Sequence, residues 1–301
     1  MPKPPPVYTT EFVLHPEQDA DYRHFENAAA HPFQGQAAGV PRVNAWWLAE
    51  AALASYWAPT DASTIFRDAG LQSDYLTAKG TDCYVAWQAD AVIVAFRGTQ
   101  PNQWRDVFAD AKAAQVPWDD NTHVHSGFAE ALDDIWPKLT STLATLSANR
   151  TIWFCGHSLG AALATLAAYR YDKTRGVCTL GSPYVGNPAF ASAFNARLAG
   201  RTLRFVNDQD VVTHVPPPLF FIWRYEQVEA RRFIAPDGKI SGNAPGIPHY
   251  FADLIGRPEH MLEVIEGLAA GTLTVAPTFF LDHMPKAYAI WMWNDYEASG
   301  S

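Results

Sequence analysis

The feature that most constrains this chain is a five-residue turn set between two apolar runs. Ile152-Trp153-Phe154-Cys155 leads into Gly156-His157-Ser158-Leu159-Gly160, and Ala161-Ala162-Leu163-Ala164 follows at once. The first run reads as a buried strand, and the alanine-rich stretch from Leu159 to Tyr171 reads as a helix. A strand that turns sharply into a helix accommodates both, and side chains at the two glycine positions would collide with the neighbouring strand and helix. Such a turn holds Ser158 in a strained backbone conformation, and Leu159 begins the helix with its N–H available to an oxyanion. Gly-x-Ser-x-Gly alone occurs by chance in many chains. Lodged between these two runs it marks Ser158 as a candidate nucleophile.

The rest of the chain supplies the layers that such a turn needs. Asp82 to Trp87 and Ala91 to Phe96 read as strands with Gln88 to Asp90 turning between them, the second apolar throughout, as in a strand buried on both faces. Gly176 to Leu180 and Leu203 to Asn207 read as two more, with a helix from Pro188 to Leu198 between them. Phe128 to Leu146 has helical apolar spacing despite Pro137, and upstream Asn44 caps a helical run through Trp46, Trp47, Leu48, Ala51, Leu53, Ala54 and Trp57. Strands alternating with helices predict an α/β fold with a mostly parallel central sheet and helices on both faces. Ile222 to Ala230 and Arg231 to Ile240, turning at Asp237-Gly238, look like an antiparallel extension of the sheet. Tyr250 to Ala269 is helical, with Leu254, Met261, Leu262, Ile265 and Leu268 on one face. No internal repeat or long linker divides the chain, so the expectation is a single domain over residues 1–301 with a polar, proline-bearing arm over 1–40.

Composition narrows the partner classes. The formal charge is −9, from 31 acidic against 22 basic residues. Nothing electrostatic favours a nucleic acid or an anionic membrane, and neutral substrates fit better. Cys83, Cys155 and Cys178 are an odd set, each in a strand-like run, and read as small apolar core residues rather than a disulfide framework. The ten histidines show no His-Glu-x-x-His or comparable ligand spacing, so no metal or organic cofactor is expected. No run suits a transmembrane span, and Met1 to Glu11 carries Pro2 and Pro4 to Pro6 where a secretory signal needs an apolar stretch. The default expectation is a cytoplasmic monomer, with export by a route other than Sec as the alternative.

A serine on such a turn needs a base to take its proton and an acid to orient that base, following it in the order Ser, Asp or Glu, His. Asp208 and Asp210 both follow the strand ending at Asn207, at the carboxyl end where sheets of this class gather their sites. Asp210 is preferred, because Val211-Val212-Thr213 and the stiff Pro216-Pro217-Pro218 could hold its carboxylate in one orientation, whereas Asp208 suits the turn. Four histidines are available as base. His214 is close to Asp210 in sequence, where such neighbours more often fix a loop than reach across to a serine, and His260 falls inside a helical run. His249 and His283 both stand in loops leading into helices, and the pattern does not choose between them.

With these residues assembled, the chain resembles the class 3 lipases, the fungal-lipase-like family of α/β hydrolases, from about Tyr84 to Tyr288. The likeness is carried by Val94-Ala95-Phe96-Arg97-Gly98-Thr99, Val124-His125-Ser126-Gly127-Phe128, the serine turn, and Gly181-Ser182-Pro183-Tyr184-Val185-Gly186-Asn187. A fifth block, Asn207 to Pro217, is similar to the family segment that bears the acid, which implies Asp210. Leu281-Asp282-His283, with Tyr288 after it, resembles the family's terminal Asp-His pair, which implies His283 as base. Ala161 stands where the family usually has glycine, Tyr184 where arginine is common and Thr213 where proline is common, and none of these is a reacting group. The helical insertion over 241–280 is longer than in the compact fungal members. His125 and His157 read as packing and hydrogen-bonding residues.

The resemblance implies an α/β-hydrolase fold and acyl transfer by Ser158, His283 and Asp210, with the N–H groups of Thr99 and Leu159 as oxyanion hole. It also implies a lid over 100–115, and there Trp104, Val107, Phe108 and Ala111 share one helical face. A lid of that kind predicts a preference for lipid esters at an oil–water interface. The expected activity is that of a triacylglycerol lipase or carboxylesterase on medium to long acyl esters. Phospholipase A1, galactolipase or feruloyl esterase activity is the alternative on the same fold, and an inactive lipid-binding protein is the distant one.

Overall fold

The computed structural model describes residues 1–6, 21–99, 114–216, 219–220, 222–242, 267 and 277–300. Its strands are β1 (Gln72–Ala78), β2 (Thr81–Trp87), β3 (Ala91–Phe96), β4 (Gln115–Pro117), β5 (His123–His125), β6 (Thr151–His157), β7 (Thr174–Leu180), β8 (Thr202–Asn207), β9 (Leu219–Phe220), β10 (Trp223–Arg224), β11 (Arg231–Ile234) and β12 (Ile240–Ser241). The helices are α1 (Arg42–Ala54), α2 (Pro59–Asp68), α3 (Ser126–Leu146), α4 (Leu159–Arg170), α5 (Pro188–Arg197), α6 (Thr278–Leu281) and α7 (Pro285–Ala298). The main sheet has the order β1-β2-β3-β6-β7-β8-β11-β12. β3, β6, β7, β8 and β11 run parallel, while β1, β2 and β12 join antiparallel at the two sides.

The central strands are apolar on both faces because both are covered. Ala91, Ile93 and Ala95 of β3, Trp153 and Cys155 of β6, and Cys178 and Leu180 of β7 pack with α1 and α7. Val92, Val94, Phe96, Ile152, Phe154 and Val177, the alternate residues, pack with α3, α4 and α5. Cys83, Cys155 and Cys178 are free thiols, each fully buried. Every residue of α1 from Val43 to Ala54 is buried, so this helix has no solvent face. Pro137 lies inside α3, which runs through it unbroken.

Two local expectations are corrected. Asn44 does not cap α1, which begins at Arg42 behind Pro41. Its buried amide instead clasps Gln34, accepting from the backbone N–H at 2.8 Å and donating to the carbonyl at 3.0 Å. Residues 222–230 do not extend the main sheet. Trp223–Arg224 pairs with Leu219–Phe220 in a separate ribbon, Arg231–Ile234 joins β8 in parallel, and only β12, beyond Asp237-Gly238, is antiparallel. The helix read over Tyr250 to Ala269 lies outside the described residues, apart from Gly267, which is helical.

The arm before α1 is tied to the layer that α1 and α7 form. Lys3 exchanges backbone hydrogen bonds with the Asn294 side chain at 2.7 and 2.9 Å, and Phe25 and Phe33 are buried. Glu50 of α1 is wholly buried and accepts from the Tyr22 hydroxyl at 2.7 Å and the Trp46 indole at 3.1 Å. Burial alone would push its pKa up. His24, with Nδ1 3.5 Å from Oε2, and the Lys3 ammonium, 3.8 Å from Oε1, outweigh that and hold the carboxyl below the usual glutamate range. Removing one member of a buried charged pair strands the other. Glu50→Ala should therefore lower stability by about 3 kcal/mol, seen as a lower urea midpoint, together with faster proteolysis among residues 1–6. An unchanged midpoint would show that the cluster holds nothing together.

Candidate active site

β6 passes into α4 through Ser158, which has φ 59° and ψ −129°. A non-glycine residue held at positive φ stores strain of roughly 1–3 kcal/mol, and the surroundings must enforce it. They do so by proximity. A Cβ on Gly156 would lie 2.2 Å from the backbone of Gly160, and one on Gly160 would lie 2.2 Å from the Phe96 carbonyl oxygen. Ser158 donates its N–H to Leu180 of β7 at 3.0 Å and is 3% exposed.

Asp210 follows β8 as the N-cap of a 3₁₀ turn, Val211–His214. Its Oδ1 accepts the Val212 N–H at 3.0 Å, and its Oδ2 accepts the Tyr288 hydroxyl at 2.5 Å. His283 stands between α6 and α7, with Nδ1 2.8 Å from both carboxylate oxygens. Acid and imidazole are both without solvent exposure. A carboxylate only accepts, so Nδ1 carries the proton and Nε2 is left as the basic nitrogen. Gly181, at the end of β7, faces both residues: a Cβ there would lie 2.6 Å from Asp210 Oδ2 and 2.9 Å from the imidazole. His157, next to the serine, places its ring 4.4 Å from that of His283. A buried, hydrogen-bonded carboxylate and imidazole thus sit at the carboxyl ends of the strands that carry the elbow.

Residues 93–220 match the family described as Lipase (class 3). Over that segment the chain is similar to the class 3 lipases. Among the curated proteins that the chain resembles, a secreted mono- and diacylglycerol lipase 1 of Fusarium solani is 38% identical over 104 residues, 32% of this chain and 31% of that protein. A phospholipase A1-II 1 of Oryza sativa subsp. indica is 45% identical over 73 residues, 22% of this chain and 19% of the other. The chain spans about a third or less of the length of these two relatives. The Rhizomucor miehei lipase propeptide complex superposes with a TM-score of 0.54 at 20% identity, covering 78% of this chain and 84% of that one. That likeness shows the α/β-hydrolase fold.

Thr99 and Leu159 line one cavity of about 300 Å³, together with Asp82, Arg97, Gly98 and Leu163. Trp104, Val107 and Phe108, with most of the 100–115 segment, lie outside the described residues, as do His249 and His260. Asp208 adopts φ 30° in the turn after β8, donating its N–H to Ile234, as a turn residue should. His125 is buried with its ring stacked on Phe128, centroids 4.0 Å apart. Among the described residues no group of three or more His, Cys, Asp or Glu is gathered as a metal site requires. No helix among them is long and apolar enough to cross a membrane.

The sequence signalled Tyr288 only as a later aromatic and missed Asn207, whose amide donates to the Asp282 carbonyl at 2.9 Å. Asp282 it named only as half of the Asp-His pair, with no role of its own. Burial, with Asp208 and Asp210 close by, pushes the Asp282 carboxyl up to about 7, against the single Gln209 N–H at 3.2 Å that favours its charge. The folded protein holds this proton more tightly than the unfolded chain, so stability declines as pH rises from the ordinary aspartate value of 3.8 to about 7. Asp282→Asn should raise the Tm at pH 8 and leave it near the parent value at pH 4. Equal shifts at both pH values would place the effect in packing instead.

Proposed function

We propose that this chain is a carboxylic ester hydrolase of the lipase type working through an acyl-enzyme. The observation that carries this reading is the solvent-free Asp210–His283 pair, tied through the His283 carbonyl to His157, the residue before the strained serine. Ser158 Oγ attacks the ester carbonyl while His283 Nε2 takes its proton. Asp210 holds the imidazole and stabilises the imidazolium. The tetrahedral oxyanion is received by the N–H groups of Leu159 and Thr99, each such donor being worth roughly 3 kcal/mol in the transition state. The imidazolium gives its proton to the leaving alcohol, and a water molecule, deprotonated by the same nitrogen, cleaves the acyl-serine and restores the hydroxyl.

Hydrolysis of p-nitrophenyl esters from acetate to palmitate tests this directly. Ser158→Ala and His283→Ala should each lower turnover by about 10⁶-fold, with a parent preference for medium or long chains. Activity retained by His283→Ala would move the base elsewhere, with His249 next to test. The match to the rice phospholipase A1 supports a second reading in which the ester belongs to a phospholipid. Release of the sn-1 fatty acid from phosphatidylcholine faster than from triacylglycerol would favour it.

The shared helical face of Trp104, Val107 and Phe108 supports action at an oil–water interface. Burying two such aromatics involves roughly 300 Å², or at most about 7 kcal/mol, so an open lid in water is costly unless lipid replaces the contacts. Trp104→Glu should lower hydrolysis of emulsified esters more than hydrolysis of dissolved ones. Equal losses on both would remove the interfacial reading.

A further inference from the structure

His157, the residue before the serine, is 1% exposed and engages both ring nitrogens. Its Nε2 lies 2.5 Å from the backbone carbonyl of His283, and its Nδ1 lies 2.7 Å from the hydroxyl of Tyr56, itself 2% exposed. A carbonyl oxygen only accepts, so Nε2 carries the hydrogen. Nδ1 then holds a lone pair, and Tyr56 must donate to it. The order of donation is therefore fixed in one direction: Tyr56 O–H to Nδ1, then Nε2–H to the His283 carbonyl.

We propose that His157 is a positioning residue for the acyl transfer described above: as the neutral Nε2–H tautomer it locks the backbone of His283 to the serine turn and to the strand that leads into Thr99. The proposal rests on that reading of the reaction. Three connections support it. His157 is covalently joined to Ser158, so a bond from its ring to His283 ties the base to the nucleophile's own turn. The two carbonyls flanking the His283 side chain are both held, that of Asp282 by Asn207 at the end of β8 and that of His283 by His157 at the end of β6. On the opposite side, a Cβ on Gly98 would lie 2.0 Å from the Tyr56 hydroxyl and 2.6 Å from the His157 carbonyl, so the approach to Thr99 packs directly on this pair.

Neutrality is part of the device. Burial, and the His283 ring 4.4 Å away, push the His157 pKa well below the usual histidine range. Burial pushes the Tyr56 phenol up, against the opposing charge of Arg97. The remaining aromatic neighbour, Tyr288, at 5.8 Å, has its phenol pushed far up by burial and by Asp210, so it too stays neutral. In the proposed reaction His283 becomes cationic, and a cation at 157 would oppose that step. A neutral donor anchors the backbone without opposing it.

The tautomer is readable in the parent protein by long-range ¹H–¹⁵N correlation of the histidine rings. The expected result is an uncharged, Nε2-protonated His157 throughout pH 5 to 9. Titration within that range, or a proton on Nδ1, would overturn the proposal without any variant being made. Kinetically, His157→Phe fills the ring's volume without a donor, and His157→Gln restores an N–H. Displacement of a catalytic group by about 1 Å costs on the order of a hundredfold. His157→Phe should lose about that much in kcat on a dissolved ester with KM little changed, and His157→Gln should recover most of it at a comparable unfolding midpoint. Parent kcat in His157→Phe, or equal losses in both variants that track stability, would count against positioning. Fluorophosphonate labelling of Ser158 separates the two layers of inference. An unlabelled parent removes the acyl-transfer reading and this one with it. A parent and a His157→Phe variant labelled at the same rate remove only the role of His157.

Discussion

Where α4 leaves β6 it runs so close to β3 that the Gly160 position has no room for a side chain against the Phe96 carbonyl. Ser158 is held at positive φ by that approach, and by the equally close pass of Gly156 against Gly160. The parallel register of β3, β6, β7 and β8 then places Gly98, Ser158, Gly181 and Asp210 at or just beyond the same ends of neighbouring strands. The site is thus a consequence of strand direction and of a few missing Cβ atoms, with the helices supplying the burial that keeps its charges strong.

Electrostatically, the centre is built from one fixed carboxylate surrounded by neutral donors. Asp210 receives His283, Val212 and Tyr288, while His157 and Tyr56 remain uncharged by burial. Asp282 stands one residue before the base and is pushed toward its neutral form, which keeps a second full negative charge away from the first. In a solvent-free setting, a single anion held by hydrogen-bonded neutral neighbours polarises the imidazole more cleanly than competing charges would.

Much of this was legible in the chain because it is local. The elbow is five consecutive residues between two runs of different period, and β3 announces its two covered faces by being apolar throughout. Asp210 was chosen from its position after a strand and before a stiff segment. His283 was not separable from His249 by pattern, and needed the Asp-His block of the family. What stayed hidden depends on partners far apart in sequence. Tyr56 carries no motif and meets His157 across 101 positions. Glu50 sits within a helix whose every neighbour is apolar or small, and Tyr22 and Lys3, which satisfy it, arrive from the arm. The hairpin turning at Asp237-Gly238 is present between β11 and β12, but the turn says nothing of the neighbour on the other side, where β11 joins β8 in parallel.

The mutual burial of α1 and α7 has a consequence for the time at which the protein becomes itself. Trp46 and Trp293 lie with ring centroids 4.8 Å apart, yet a ribosome adding roughly 5–20 residues per second needs tens of seconds to travel from one to the other. Through that interval α1, which has no solvent face, lacks the helix that closes over it, and His283 has not yet been made. The nascent chain therefore carries the Ser158 turn long before it carries the Asp210–His283 pair in full. Until then the tryptophan-rich surface of α1 that α7 covers in the finished fold has no α7 to cover it.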